Sequence, residues 1–141
     1  DLLAVTTRAP TSIVCCVSAA AVHDLTDELP PAVQIAVPMG SHPPRIDHPP
    51  TQVLRFSSAT FALGLSEIEA APAECVRIYD PARTVVDLMR LRHRFGEVLA
   101  HTALNRSLTS GAARPADVLR YAKALGVAGP VSLALDIARA R

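Results

Sequence analysis

The chain has 141 residues, enough for one domain with a core of its own. Half of it is hydrophobic and only 19% is charged, which excludes a chain too polar to fold. Net charge is +1 but unevenly placed: residues 1–76 hold 3 Arg against 8 acids, and residues 77–141 hold 11 Arg and Lys against 5.

A basic half beside an acidic half points to a charged partner, to contact between the halves, or to a solvated Arg-rich helical surface. Lys123 is the only lysine, which removes any mechanism needing a second one. Trp is absent and aromatics are few, so the core is built from Ala, Val, Leu and Ile. The cysteines are Cys15, Cys16 and Cys75. An odd count, two of them adjacent, argues against a disulfide framework and for a reducing, cytoplasmic compartment. No Cys-x-x-Cys or Cys/His spacing suits a metal.

Residues 1–10 read as the end of a linker or of a truncated upstream helix, and residues 11–141 as the domain. Asp1 in place of Met suggests that a segment precedes it. Residues 13–25 read as an apolar helix, with Ser18 and Ala19–Ala21 forming a thin face and His23 at its end. The apolar run from Ile13 to Val22 is about ten residues, short of the roughly 20 a membrane span needs. No basic leader precedes it, so it is not a signal peptide. Leu29-Pro30-Pro31 stops the helix. Residues 33–37 alternate and are β-branched, the pattern of a buried strand.

Met39 to Pro50 is a loop rich in proline. His42, Asp47 and His48 lie in it, but no fourth ligand completes a metal site. Residues 52–57 form a second strand, and residues 58–63 a short helical turn. Residues 66–70 and 74–79 form a hairpin around Ala71-Pro72-Ala73. Helices follow over about 81–94, 95–109, 115–126 and 130–139, punctuated by Gly96, Gly111, Pro115, Gly126 and Pro130. Strands in the middle and helices at the end make the fold α+β. It is a small mixed or antiparallel sheet with one preceding helix and a C-terminal helical bundle.

The start of the first of these helices carries the most chemistry. Asp80 can accept bonds from the free N–H groups of the first turn, and Pro81 sits where its missing N–H costs nothing. Arg83 and Asp87 are four apart and can pair on one face. Thr84 and Arg90 complete the polar group beside the apolar Val85, Val86, Leu88 and Met89. Arg83, Thr84, Asp87 and Arg90 are the candidate partner-binding residues; a purely structural role, with Asp87 paired to Arg83 and locking the helix to the sheet, is the alternative. Packing of Val85, Val86 and Met89 against the sheet is expected. Arg92, Arg94 and Arg106 are candidate phosphate contacts, with Arg114 and Arg120 beside them.

Enzyme motifs are missing. There is no Walker loop and no Gly-x-Ser-x-Gly elbow. Glu67 and Glu69 follow Gly64 and share one strand face, but a nucleotidyltransferase needs a third carboxylate. No catalytic residue, metal or cofactor is expected.

The segment Asp80-Pro81-Ala82-Arg83-Thr84-Val85-Val86-Asp87 resembles the Arg-Thr-x-x-Asp helix of the AbiEi family of antitoxins, from bacterial type IV toxin–antitoxin and abortive-infection systems. Ser18-Ala19-Ala20-Ala21-Val22-His23-Asp24-Leu25 is similar to that family's small-residue helix ending in His-Gly-Leu, with Asp24 in place of Gly. Val33–Pro38 and Val53–Ser57 resemble its central strands. The resemblance spans roughly residues 10–130 and is to the C-terminal, antitoxicity domain. It implies a function in counteracting a nucleotidyltransferase-like toxin, directly or functionally. It also implies a longer parent, a transcriptional regulator whose N-terminal winged helix binds DNA. No helix-turn-helix precedes Pro10 here. The alternative is a stand-alone domain binding nucleic acid without sequence preference.

Overall fold

The computed structural model describes residues 1–140. It is an α+β fold around one five-stranded mixed sheet. In chain order the elements are α1 (Leu2–Arg8), β1 (Ile13–Val14), α2 (Cys16–Val22), β2 (Val33–Pro38), β3 (Thr51–Phe56), β4 (Leu65–Ala71) and β5 (Glu74–Tyr79). The helices α3 (Pro81–Arg90), α4 (Arg92–Phe95), α5 (Glu97–Ser110), α6 (Pro115–Ala124) and α7 (Ala128–Arg139) follow. Among the described residues no helix is long and apolar enough to cross a membrane.

The strand order is β3-β2-β1-β5-β4. β1 sits at the centre, antiparallel to β2 and parallel to β5. β2 and β3 run parallel in unbroken register from Val33↔Thr51 to Pro38↔Phe56. A parallel pair needs a long connection, usually a helix. Here the Met39–Pro50 loop makes it and tucks Ile46 into the core.

Side chains alternate across a strand, so the two faces of the sheet differ. Ile13, Ala36, Leu54, Phe56 and Tyr79 join the larger core with α2, α3, α5, α6 and α7. Val14, Ile35, Val76 and Ile78 face a smaller core closed by Val5 and Ala9, from α1 and its end, and by Ile46. Residues 1–10 therefore hold a helix that caps the back of the sheet, with Val5 fully buried.

Three expectations need correcting. Residues 13–25 are not one helix: Ile13 and Val14 form the central strand, and α2 starts at Cys16, a residue with φ of 52°. A short apolar run suits a buried strand as well as a helix, and periodicity does not separate them. Ser58 to Gly64 runs as turns rather than as a helical turn. The helix over 81–94 breaks at Leu91, and α5 begins after Gly96.

α3 is the central helix of the bundle. Every residue from Ala82 to Met89 is buried, and its nearest helical neighbours are α2, α5 and α6. Arg83, Asp87 and Arg90 fall within an arc of about 60°, and Val85 and Met89 lie across the helix from them. The face toward the ends of β3 and β5 is thus the polar one, since the guanidiniums of Arg83 and Arg90 lie over the Phe56 ring.

Candidate functional site

The site is built where β5 turns into α3. Asp80 caps the helix: its Oδ1 accepts from the Arg83 N–H at 2.8 Å. Its Oδ2 accepts from the Tyr121 hydroxyl of α6 at 3.0 Å, and its own N–H donates to the Gly64 carbonyl at 2.8 Å. One residue therefore ties α3 to α6 and to the turn before β4. The Tyr79 carbonyl accepts from His23 Nε2 at 2.8 Å and from the Thr84 hydroxyl at 3.3 Å. His23 thus fastens the end of α2 to the strand, and Thr84 bonds back to the backbone.

Arg83 is 0% exposed, an unusual state for arginine. Its Nε donates to Asp87 Oδ2 at 2.9 Å. Its Nη1 donates to two turn carbonyls, Thr60 at 2.7 Å and Leu63 at 2.8 Å. Its guanidinium carbon lies 4.2 Å from the centroid of the Tyr79 ring, a cation–π stack. Nη2 is left without a partner.

Asp87 is also 0% exposed. Its second oxygen, Oδ1, accepts from Arg90 Nη2 at 3.0 Å. Burial pushes the Asp87 carboxyl above its ordinary range, and the Arg83 and Arg90 guanidiniums oppose that push. Arg90 is partly exposed, with its guanidinium 4.7 Å from the Phe56 ring centroid. Phe56 stacks on Tyr79 at 6.1 Å, and the buried Tyr79 hydroxyl donates to the Phe61 carbonyl at 2.6 Å. Desolvation raises that phenol far above its normal pKa.

The structure thus brings Arg83, Asp87 and Arg90 into one network, with Thr84 beside it on the backbone. Sequence reasoning missed Phe56, Tyr79 and Tyr121, and the carbonyls of Thr60 and Leu63. None had a signal, because each reaches the network only through the fold.

The candidate phosphate contacts are scattered and mostly engaged. Arg92 donates to the Met89 carbonyl at 3.0 Å and pairs with Glu97 at 3.4 Å. Arg106 pairs with Asp27 at 3.0 Å, joining the basic half to the acidic one. Arg114 and Arg120 both pair with Asp117. Arg94 lies over the Phe95 ring. In the Pro-rich loop Asp47 pairs with Arg45. Among the described residues no group of three or more His, Cys, Asp or Glu could hold a metal ion.

Cys15 and Cys16 are buried, and burial pushes the Cys15 thiol well up. Cys75 is exposed. A thiol reagent is expected to titrate one cysteine in the native protein and three in denaturant, since reactivity follows the accessible thiolate. More than one rapid thiol in the native state would show that α2 opens readily.

No protein-family model matches this chain, and no curated protein matches it in sequence.

Proposed function

We propose that this chain is the antitoxicity domain of an AbiEi-like antitoxin of a type IV toxin–antitoxin system. Its role is to counteract a nucleotidyltransferase-like toxin in the bacterial cytoplasm, by direct contact or functionally. Operon repression belongs to a longer parent protein with a winged helix that binds DNA. The observation that carries this reading is the place of the resembling residues. Asp80, Arg83 and Asp87, among the residues that carry the likeness, lie in the network that joins the sheet to the bundle, and Thr84 bonds to the Tyr79 carbonyl beside it.

The alternative, a stand-alone domain binding nucleic acid without sequence preference, draws on the +6 balance of residues 77–141. Against it, Arg92, Arg106, Arg114 and Arg120 already hold carboxylates. A guanidinium held by an internal acid adds less to phosphate attraction.

Co-expression with the toxin of its operon tests the proposal. The chain is expected to restore growth, and Arg90→Ala to reduce protection while the fold survives. DNA binding is expected to be weak, unselective and largely gone above about 0.15 M salt. Failure to protect would end the antitoxin reading, and tight operator binding by this chain would reverse the assignment of roles.

A further inference from the structure

Beside α3 lies a cavity of about 310 Å³, bordered by Phe56, Thr60, Arg83, Arg90, Ala124 and Leu125. That is the lower end of the range for small-ligand sites. Its wall carries two arginines and no acid. The one carboxylate that balances them, Asp87, is fully buried, with each oxygen already accepting from a guanidinium. Counted together, Arg83, Arg90 and Asp87 leave one positive charge. The nearby Asp80 is engaged by the start of α3 and by Tyr121, and does not border the cavity.

Nη2 of Arg83 is the one buried side-chain polar atom among the described residues that lacks a hydrogen-bond partner. A buried charged donor left unmatched is costly. The other nitrogens of that guanidinium are committed, to Asp87, Thr60 and Leu63. Arg90 has a side chain 28% exposed, so an incoming ligand meets it first and Arg83 behind it. Phe56, Ala59, Ala124 and Leu125 supply the apolar part of the wall, beside the hydroxyl-bearing Ser57 and Thr60.

We propose that this cavity binds a small organic carboxylate, its carboxylate held by Arg83 and Arg90 and its short apolar body against Ala124 and Leu125. A single negative charge matches the single positive excess, and guanidinium geometry suits a carboxylate. The apolar part of the wall, from Ala59, Ala124 and Leu125, favours an anion with a short hydrocarbon body over a bare oxyanion. This site does not depend on the antitoxin reading.

The probe is butyrate, with butyramide as its neutral counterpart and inorganic phosphate as an anion without an apolar body. Titration is followed through the Arg Nε–H resonances in ¹H–¹⁵N NMR spectra. Butyrate is expected to bind saturably, with Kd on the order of 1 mM for so small a ligand, and to shift the Arg83 and Arg90 signals. Butyramide and phosphate are expected to leave them unmoved. Arg90→Gln, which keeps the buried Arg83–Asp87 pair, is expected to weaken binding at least about tenfold. Ala59→Glu places a carboxylate at the cavity rim from an exposed position and is expected to abolish butyrate binding. Three results would each overturn the proposal: equal shifts with butyramide, preferential shifts with phosphate, or no saturation by about 10 mM butyrate.

Discussion

Asp87→Ala is expected to destabilise the protein by about 3–5 kcal/mol. Both partners of the pair are 0% exposed, so removing the carboxylate leaves Arg83 as an uncompensated buried charge. Arg90 loses its carboxylate as well. For a domain of this size the melting midpoint should fall by about 10–20 °C. Urea unfolding measures the free energy directly, and a change below about 1 kcal/mol would show that the network contributes no more than a surface pair. A double replacement, Arg83→Met with Asp87→Leu, sharpens the reading. Buried pairs exchanged for apolar residues are often neutral. Here the exchange should still cost stability, because Arg83 also satisfies the carbonyls of Thr60 and Leu63. Those two acceptors would be left without a donor.

Gly64→Ala is the second large effect. Gly64 has φ of +80°, where a side chain costs about 1–2 kcal/mol. A Cβ there would also stand 2.6 Å from the Arg83 Cβ and 3.3 Å from Asp80 Oδ1. The Arg83 Cβ is anchored to the α3 backbone and cannot swing away. Overpacking of this kind adds about 1–3 kcal/mol. Gly111→Ala is the matched control: its φ is +77°, and a Cβ there meets nothing within 4 Å. The Gly64 variant should melt clearly below the Gly111 variant. Equal midpoints would mean that the turn and α3 part without penalty.

The start of α3 was legible because its determinants are local. Asp80, Pro81 and the Arg83–Asp87 spacing act within one or two turns of helix, and the structure places them as that spacing implies. The hairpin of β4 and β5 was legible for the same reason. What lay beyond reach was long-range. Arg106 finds Asp27 across 79 positions, and Arg83 finds the Thr60 carbonyl across 23. No periodicity encodes such distances. Nor did pattern reveal that the polar face of α3 turns toward Phe56 and Tyr79. That orientation follows from two aromatic rings at strand ends, which accept guanidiniums on their faces. The strand at Ile13–Val14 was hidden by length: two residues carry no alternation to read.

That two-residue strand has a consequence in time. On one side of the sheet, β2 and β3 make their own ladder, and on the other β4 and β5 make theirs. Among the described residues, only Ile13 and Val14 stitch the two ladders together. They leave the ribosome early, yet the partner of Val14 on β5 is Ile78. At about 5–20 residues per second, those roughly 60 residues take some 3–12 s to synthesise. Once β2 is out, for roughly the last 40 of those residues, the growing polypeptide holds a half-finished sheet, with its first strand bonded to β2 on one flank and open on the other. An open flank is a template for any passing strand. The nascent chain is therefore at its most sticky just before β5 emerges, and a pause in translation there should favour aggregation over folding.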